Sequence, residues 1–118
     1  MTETATEMSV EDYLALDAAS ERRHEYLNGV VVAMAGASPR HNVVAHNVGR
    51  LLGNALASGR CTVFDAGQRI QIADTGSYVY ADLVATCERP AFTDEQPRSL
   101  TNPRLAVEGL TRSTRGHD

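Results

Sequence analysis

Apolar and polar positions fall along this chain in blocks that alternate between helical and strand periods. Ser9-Val10-Glu11-Asp12 sets a capping hydroxyl three residues ahead of an acid, which predicts a helix start. Val10, Tyr13 and Leu14 then share one helical face, with Asp12 and Asp17 facing away. Residues 1–8 read as a frayed leader, and a second short helical stretch is expected over 19–23. Asn28-Gly29 between two β-rich runs predicts a hairpin over 24–33. Ser38 and Pro39 have the cap and first-turn chemistry of a longer helix. Its Val44, Val48, Leu51, Leu52 and Ala55 repeat as a stripe expected to be buried, and Gly59 is expected as its left-handed cap.

Beyond that helix the period shortens. Strands are expected over 61–64 and over 68–72, where Gln and Arg alternate with Ile and leave one face wet. A turn at 75–77 leads into a longer strand over 78–86, whose centre Leu83-Val84-Ala85 is apolar on both faces. A polar, Pro-punctuated loop over 89–103 precedes a further buried strand over 105–110 and a polar tail. Helix, hairpin, helix and several strands make an α+β (α/β-like) chain with a mixed sheet.

Composition sets bounds on this picture. A chain of 118 residues is one domain, 1–118. Hydrophobic residues at 42% and charged residues at 22% describe a globular protein. No apolar run approaches the ~18 residues that cross a bilayer, and the polar, acidic N-terminus is unlike a targeting peptide, so the expected location is cytoplasmic. The 15 acids exceed the 11 bases, for a net charge of -4, which argues against a bulk electrostatic grip on nucleic acid. Every one of those bases is Arg. The lack of any Lys excludes a Lys base, Schiff base or phosphate-loop Lys within these residues. Cys61 and Cys87 form no CxxC and are followed by no finger-like His; two half-buried free thiols are expected.

Two carboxylates interrupt apolar runs: Asp82 in Tyr-Val-Tyr-Ala-Asp-Leu-Val-Ala and Glu108 in Leu-Ala-Val-Glu-Gly-Leu. Buried acids need a partner or a metal. If the two strands are neighbours, both carboxylates can enter one pocket and hold Mg²⁺ or Mn²⁺, which orients a phosphodiester and activates water. The plainer alternative is a pair of strand-end acids, solvated or bound to Arg. Glu25 is a third candidate for the same pocket, against a role as cross-strand partner of an Arg. Gln71 can face a metal-bound water or the substrate, or simply the solvent. Arg40 and His41 open the main helix, where free N–H groups attract phosphate, and so form a candidate substrate contact; an ordinary polar helix start is the alternative. His46 aligns with Asn42 and Arg50 at i±4, which suggests a polar face. No HExxH, HxxxH or GxSxG occurs, so zinc and serine-hydrolase chemistry have little support.

The runs Ser9–Leu16, Arg23–Asn42, Tyr80–Val84 and Asn102–Thr114 together give the chain a family likeness. In their order and spacing the chain resembles the bacterial Uma family of restriction-endonuclease-like proteins, within the PD-(D/E)XK nuclease superfamily, from Ser9 to about Arg115. The resemblance implies a restriction-endonuclease-like core, a mixed sheet flanked by helices, and a divalent-metal site. Asp82 matches the Asp of the family's Pro-Asp motif and Glu108 the Glu of its Val-Glu-Val-Leu motif; Glu25 and His41 match positions usually filled by the same residues. Asp82 and Glu108 would be the metal ligands, with DNA as substrate. The chain departs from the pattern at Ala81, where Pro is usual, at Gly109, and at Leu110, where the superfamily Lys is expected. Arg112 and Arg115 cannot serve as the base, because Arg keeps its proton. These departures, with the chain's shortness, read as a C-terminally truncated member with its last part missing. Two functions then compete: a metal-dependent DNA endonuclease, and a non-catalytic nuclease-fold remnant that binds nucleic acid or another protein. A truncated core also predicts an exposed sheet edge and a tendency to form a homodimer.

Overall fold

The computed structural model describes residues 5–109. In chain order these form β1 (Ala5–Glu7), α1 (Val10–Ala19), β2 (His24–Leu27), β3 (Val30–Ala33), α2 (Pro39–Ala55), β4 (Thr62–Phe64), β5 (Arg69–Ile72), β6 (Ser77–Tyr80), β7 (Leu83–Thr86) and β8 (Leu105–Val107). A five-stranded sheet runs β1-β3-β2-β6-β5 and a three-stranded sheet runs β4-β7-β8, which makes the chain α+β. All ladders between these strands are antiparallel, and Leu100 adds a parallel bridge to Ile70. No helix among the described residues is long and apolar enough to cross a membrane.

The local signals act where their chemistry requires. Ser9 Oγ accepts from Asp12 N and Ser38 Oγ from His41 N, so both helices start at their capping hydroxyls. Asn28 and Gly29 have φ of 52° and 88°, the consecutive positive values that a tight hairpin turn demands. Ser20 ends α1 in an extended conformation, so the helical stretch expected over 19–23 does not form. Residues 5–7 of the expected leader are a strand, β1, held by the free edge of β3. Gly59 is not a left-handed cap: α2 stops at Ala55 and Leu56 closes it.

The larger departure is in the strand expected over 78–86. It breaks at Ala81-Asp82, with β6 in one sheet and β7 in the other. The polar loop over 89–103 also contributes to the core, because Leu100 is fully buried against Ile70, Ala81 and Val84. A second cluster holds Tyr13, Tyr26, Val31 and Tyr78, with the Tyr13 and Tyr26 rings stacked at 4.9 Å.

Arg69 lies on the face of β5 that the alternation marks as wet, yet it is 2% exposed. The correction has a clear cause: its donors are consumed internally. Nη1 donates to Asp17 Oδ2 at 2.9 Å, Nε to Ser99 Oγ at 2.7 Å and Nη2 to the Pro97 carbonyl at 2.7 Å. Asp17, read as facing away from the core, is buried for the same reason and also accepts from Tyr80 OH and His24 N.

The stripe on α2 is likewise corrected. None of its residues is buried, and Leu51 is 58% exposed. The helix instead turns its small side inward at Gly49, where an added Cβ would lie 3.2 Å from Leu83 Cδ2. The expectation of free thiols fails too, because Cys61 and Cys87 are joined in a disulfide. Thr62 pairs with Thr86, so the next pair outward along the β4-β7 ladder is Cys61 and Cys87.

Two outcomes are expected. Arg69→Ala leaves the Asp17 charge buried without its cation and lowers stability by about 3–5 kcal/mol, measured as a fall in urea midpoint. Cys87→Ser opens a link between residues 26 apart in sequence and costs about 3 kcal/mol under oxidising conditions, with no difference from wild type once reductant is added.

Candidate functional site

The break between β6 and β7 places Ala81 and Asp82 where the two sheets part, facing α2. A cavity of about 1100 Å³ opens there, lined on the α2 side by Ser38, His41, His46 and Arg50 and on the sheet side by Arg23, Asp65, Tyr80 and Asp82. A chain that crosses from one sheet to another exposes backbone and side chains at the crossing, and the splayed strands leave room for a ligand.

Asp82 is half-buried. Its Oδ1 lies 2.9 Å from His41 Nε2, with the two side chains 19% and 18% exposed. Ser38 caps α2 and thereby fixes the turn that carries His41. His41 Nδ1 is buried with no hydrogen-bond partner among the described residues.

β7 and β8 are neighbours, as the two-carboxylate arrangement requires. The ladder ends at Leu83 and Val107, and its register continued one step would set Asp82 opposite Glu108. Glu108 is nevertheless exposed, one residue past β8, which is a short edge strand among the described residues; the burial expected from its apolar flanks does not occur. Glu25 Oε2 accepts from Tyr80 N at 3.0 Å. Burial raises the Glu25 carboxyl above its ordinary value; the Tyr80 N–H opposes this, and the charge of Glu108 adds to it. The Glu108 charge is felt at Glu25, but of the three acidic positions only Asp82 lines the cavity.

The remaining expected residues lie elsewhere. Arg40 is exposed on the first turn of α2 and does not line the cavity. Gln71 is half-buried on β5, where its Nε2 donates to Tyr78 OH at 2.9 Å, so it too is outside the cavity. No group of three or more His, Cys, Asp and Glu among the described residues is arranged to hold a metal ion. A metal here would rest on fewer protein donors and more water.

Arg23 was not legible as a site residue. Its Nη1 donates to the Ala66 carbonyl and its guanidinium lies 5.3 Å from the Tyr80 ring centroid, which fixes a cation at the cavity wall. His46 and Arg50 also line the cavity, and here a signal existed: the i±4 row of Asn42, His46 and Arg50 is an exposed polar row that borders the cavity.

A pH dependence follows from Glu25. A carboxyl whose folded pKa is raised contributes stability that is present below its unfolded pKa of about 4.3 and is lost as pH rises through the folded value. Glu25→Gln removes that loss. Relative to wild type, the variant is expected to gain stability from pH 4 to pH 8, read as the difference in urea midpoint at about those two values.

Comparison with known proteins agrees with the motifs. The family model Uma2, described as "Putative restriction endonuclease", matches residues 10–118. Uncharacterized protein sll1609 of Synechocystis sp. is 32% identical over 111 residues, covering 94% of this chain and 63% of that protein. Uncharacterized protein slr1290 of the same organism is 33% identical over 111 residues, covering 94% of this chain and 57% of that protein. The chain thus spans about three fifths of the length of these relatives. No solved structure matches it. The chain belongs to the Uma2 family.

Proposed function

We propose that this Uma2 chain is a divalent-metal-dependent DNA endonuclease, with Asp82 and Glu108 as the metal ligands and Mg²⁺ or Mn²⁺ as the ion. The observation that supports this most is the register of β7 and β8: continued one step past Leu83 and Val107 it would set positions 82 and 108 opposite each other, with Asp82 lining the cavity. The donor chemistry fits the ion. Mg²⁺ keeps several waters and takes one or two carboxylates, which two hard oxygen donors at a partly open edge can supply. A bound ion of this kind would polarise a phosphoryl oxygen and lower the pKa of water.

The chain's own residues have separable roles in this reading. His41 Nε2, hydrogen-bonded to Asp82 Oδ1, holds that carboxylate in one orientation, the outer-shell support that metal ligands require. Tyr80 N–H holds Glu25 through Oε2, leaving Oε1 to accept a proton from an attacking water. Burial makes Glu25 a stronger base than an exposed carboxylate. Arg23 and Arg50 place positive charge at the cavity wall, where a phosphodiester brings negative charge.

The absence of any Lys favours a second reading, a nuclease fold that binds nucleic acid without cutting it. Calorimetric titration with Mg²⁺ and Mn²⁺, alongside a plasmid-nicking assay, separates the two. The endonuclease reading expects metal binding and nicking in wild type, and loss of both in Asp82→Ala and Glu108→Ala. His41→Ala should weaken metal binding by about 10–100-fold rather than abolish it. Metal binding with no nicking supports the second reading. No metal binding in wild type refutes the metal site.

A further inference from the structure

We infer that the row Asn42, His46 and Arg50 on α2, with Arg23 on the facing wall, grips the phosphodiester backbone of a single nucleic-acid strand leading to Asp82. This assignment rests on the phosphodiesterase reading of the cavity and adds the surface that holds the polymer. The three α2 residues recur every fourth position, so they stack in one line along the helix, and all three line the cavity. The line begins one residue past His41, which bonds Asp82, and continues along α2, which still packs on Leu83 at Gly49. From Asn42 to Arg50 it spans ~12 Å of helix axis. At the ~3.4 Å axial rise of a duplex strand that is about three to four phosphates, and fewer along an extended single strand.

The side chains suit a backbone rather than a small anion. Arg50 is exposed and makes no hydrogen bond or ion pair among the described residues, so all of its donors are available. Arg23 is the opposite case, pinned by the Ala66 carbonyl and the Tyr80 ring. One guanidinium is fixed and the other has its donors unengaged, and the two come from different elements lining the cavity. The cavity of about 1100 Å³ also exceeds the ~300–1,000 Å³ typical of small-molecule sites. With a net charge of -4 the chain has no general attraction for polyanions, so a local row of donors must supply the contact.

The test is fluorescence anisotropy of a fluorescein-labelled single-stranded DNA, titrated at several salt concentrations with divalent metal chelated so that nothing is cut. Wild type should bind with an affinity that falls as salt rises. Arg50→Ala should weaken binding about tenfold at low salt and reduce the slope of log affinity against log salt by about 0.7, one lost phosphate contact on a single strand. Arg50→Lys, which keeps the charge, should restore most of the slope. Arg60→Ala, an exposed Arg outside the cavity, should leave both quantities unchanged. No binding by wild type overturns the inference, and so does an unchanged slope in Arg50→Ala. Mn²⁺ titration of Arg50→Ala keeps the two proposals apart. Intact metal binding with an unchanged salt slope removes the row and leaves the metal site. A slope reduced in Arg50→Ala, when wild type binds no metal, keeps the row and removes the metal site.

Discussion

The ion pair between Asp17 and Arg69 is the constraint around which the described part of this chain is organised. Both side chains are 2% exposed, and burying two charges costs several kcal/mol each unless the geometry repays it. Here it is repaid by number. Arg69 donates to Asp17, Ser99 and Pro97 and lies within 6 Å of the Tyr13 and Tyr78 ring centroids. Asp17 accepts from Arg69, Tyr80 OH and the His24 backbone. The pair thus ties α1 to β2, β5, β6 and the segment before β8. Removing one partner would leave the other charged, buried and unmatched, so these elements must come together or not at all.

The same pair reaches the candidate site through Tyr80. The Tyr80 hydroxyl is held by Asp17, its ring carries the Arg23 guanidinium, and its N–H holds Glu25. Two residues later the chain leaves one sheet for the other and presents Asp82 to His41. The position of the acidic end of the cavity is therefore set from the core outward. An acidic chain can in this way keep cations at one place: Arg23 and Arg50 line the cavity while most of its carboxylates lie elsewhere.

What could be read from the sequence was local. The Ser9 and Ser38 caps, Pro39 and the Asn28-Gly29 turn act through atoms a few residues apart, so their chemistry is complete in the sequence. The neighbouring placement of the Asp82 and Glu108 strands was a conditional expectation that the β7-β8 register meets. What escaped depended on partners distant in sequence. Alternation on β5 marked Arg69 as wet because nothing in the period of two reveals Asp17, 52 residues away. The stripe on α2 was an amphipathic pattern, but the close approach at Gly49 decides which side faces Leu83. The break between β6 and β7 lies inside a continuous apolar run, and only the pairing of each half with a different sheet exposes it. Cys61 and Cys87 gave no spacing signal, since their proximity comes from the β4-β7 register.

The most direct measurement of the central claim is a nitrogen-15 NMR spectrum titrated with substoichiometric Mn²⁺, whose unpaired electrons broaden nearby amide signals. Broadening is expected to centre on Asp82 and Glu108, to extend to Glu25 and His41, and to spare Glu11 and Asp12 at the start of α1. Broadening centred on those exposed acids of α1, or none at all, would contradict a metal site at the junction of the two sheets.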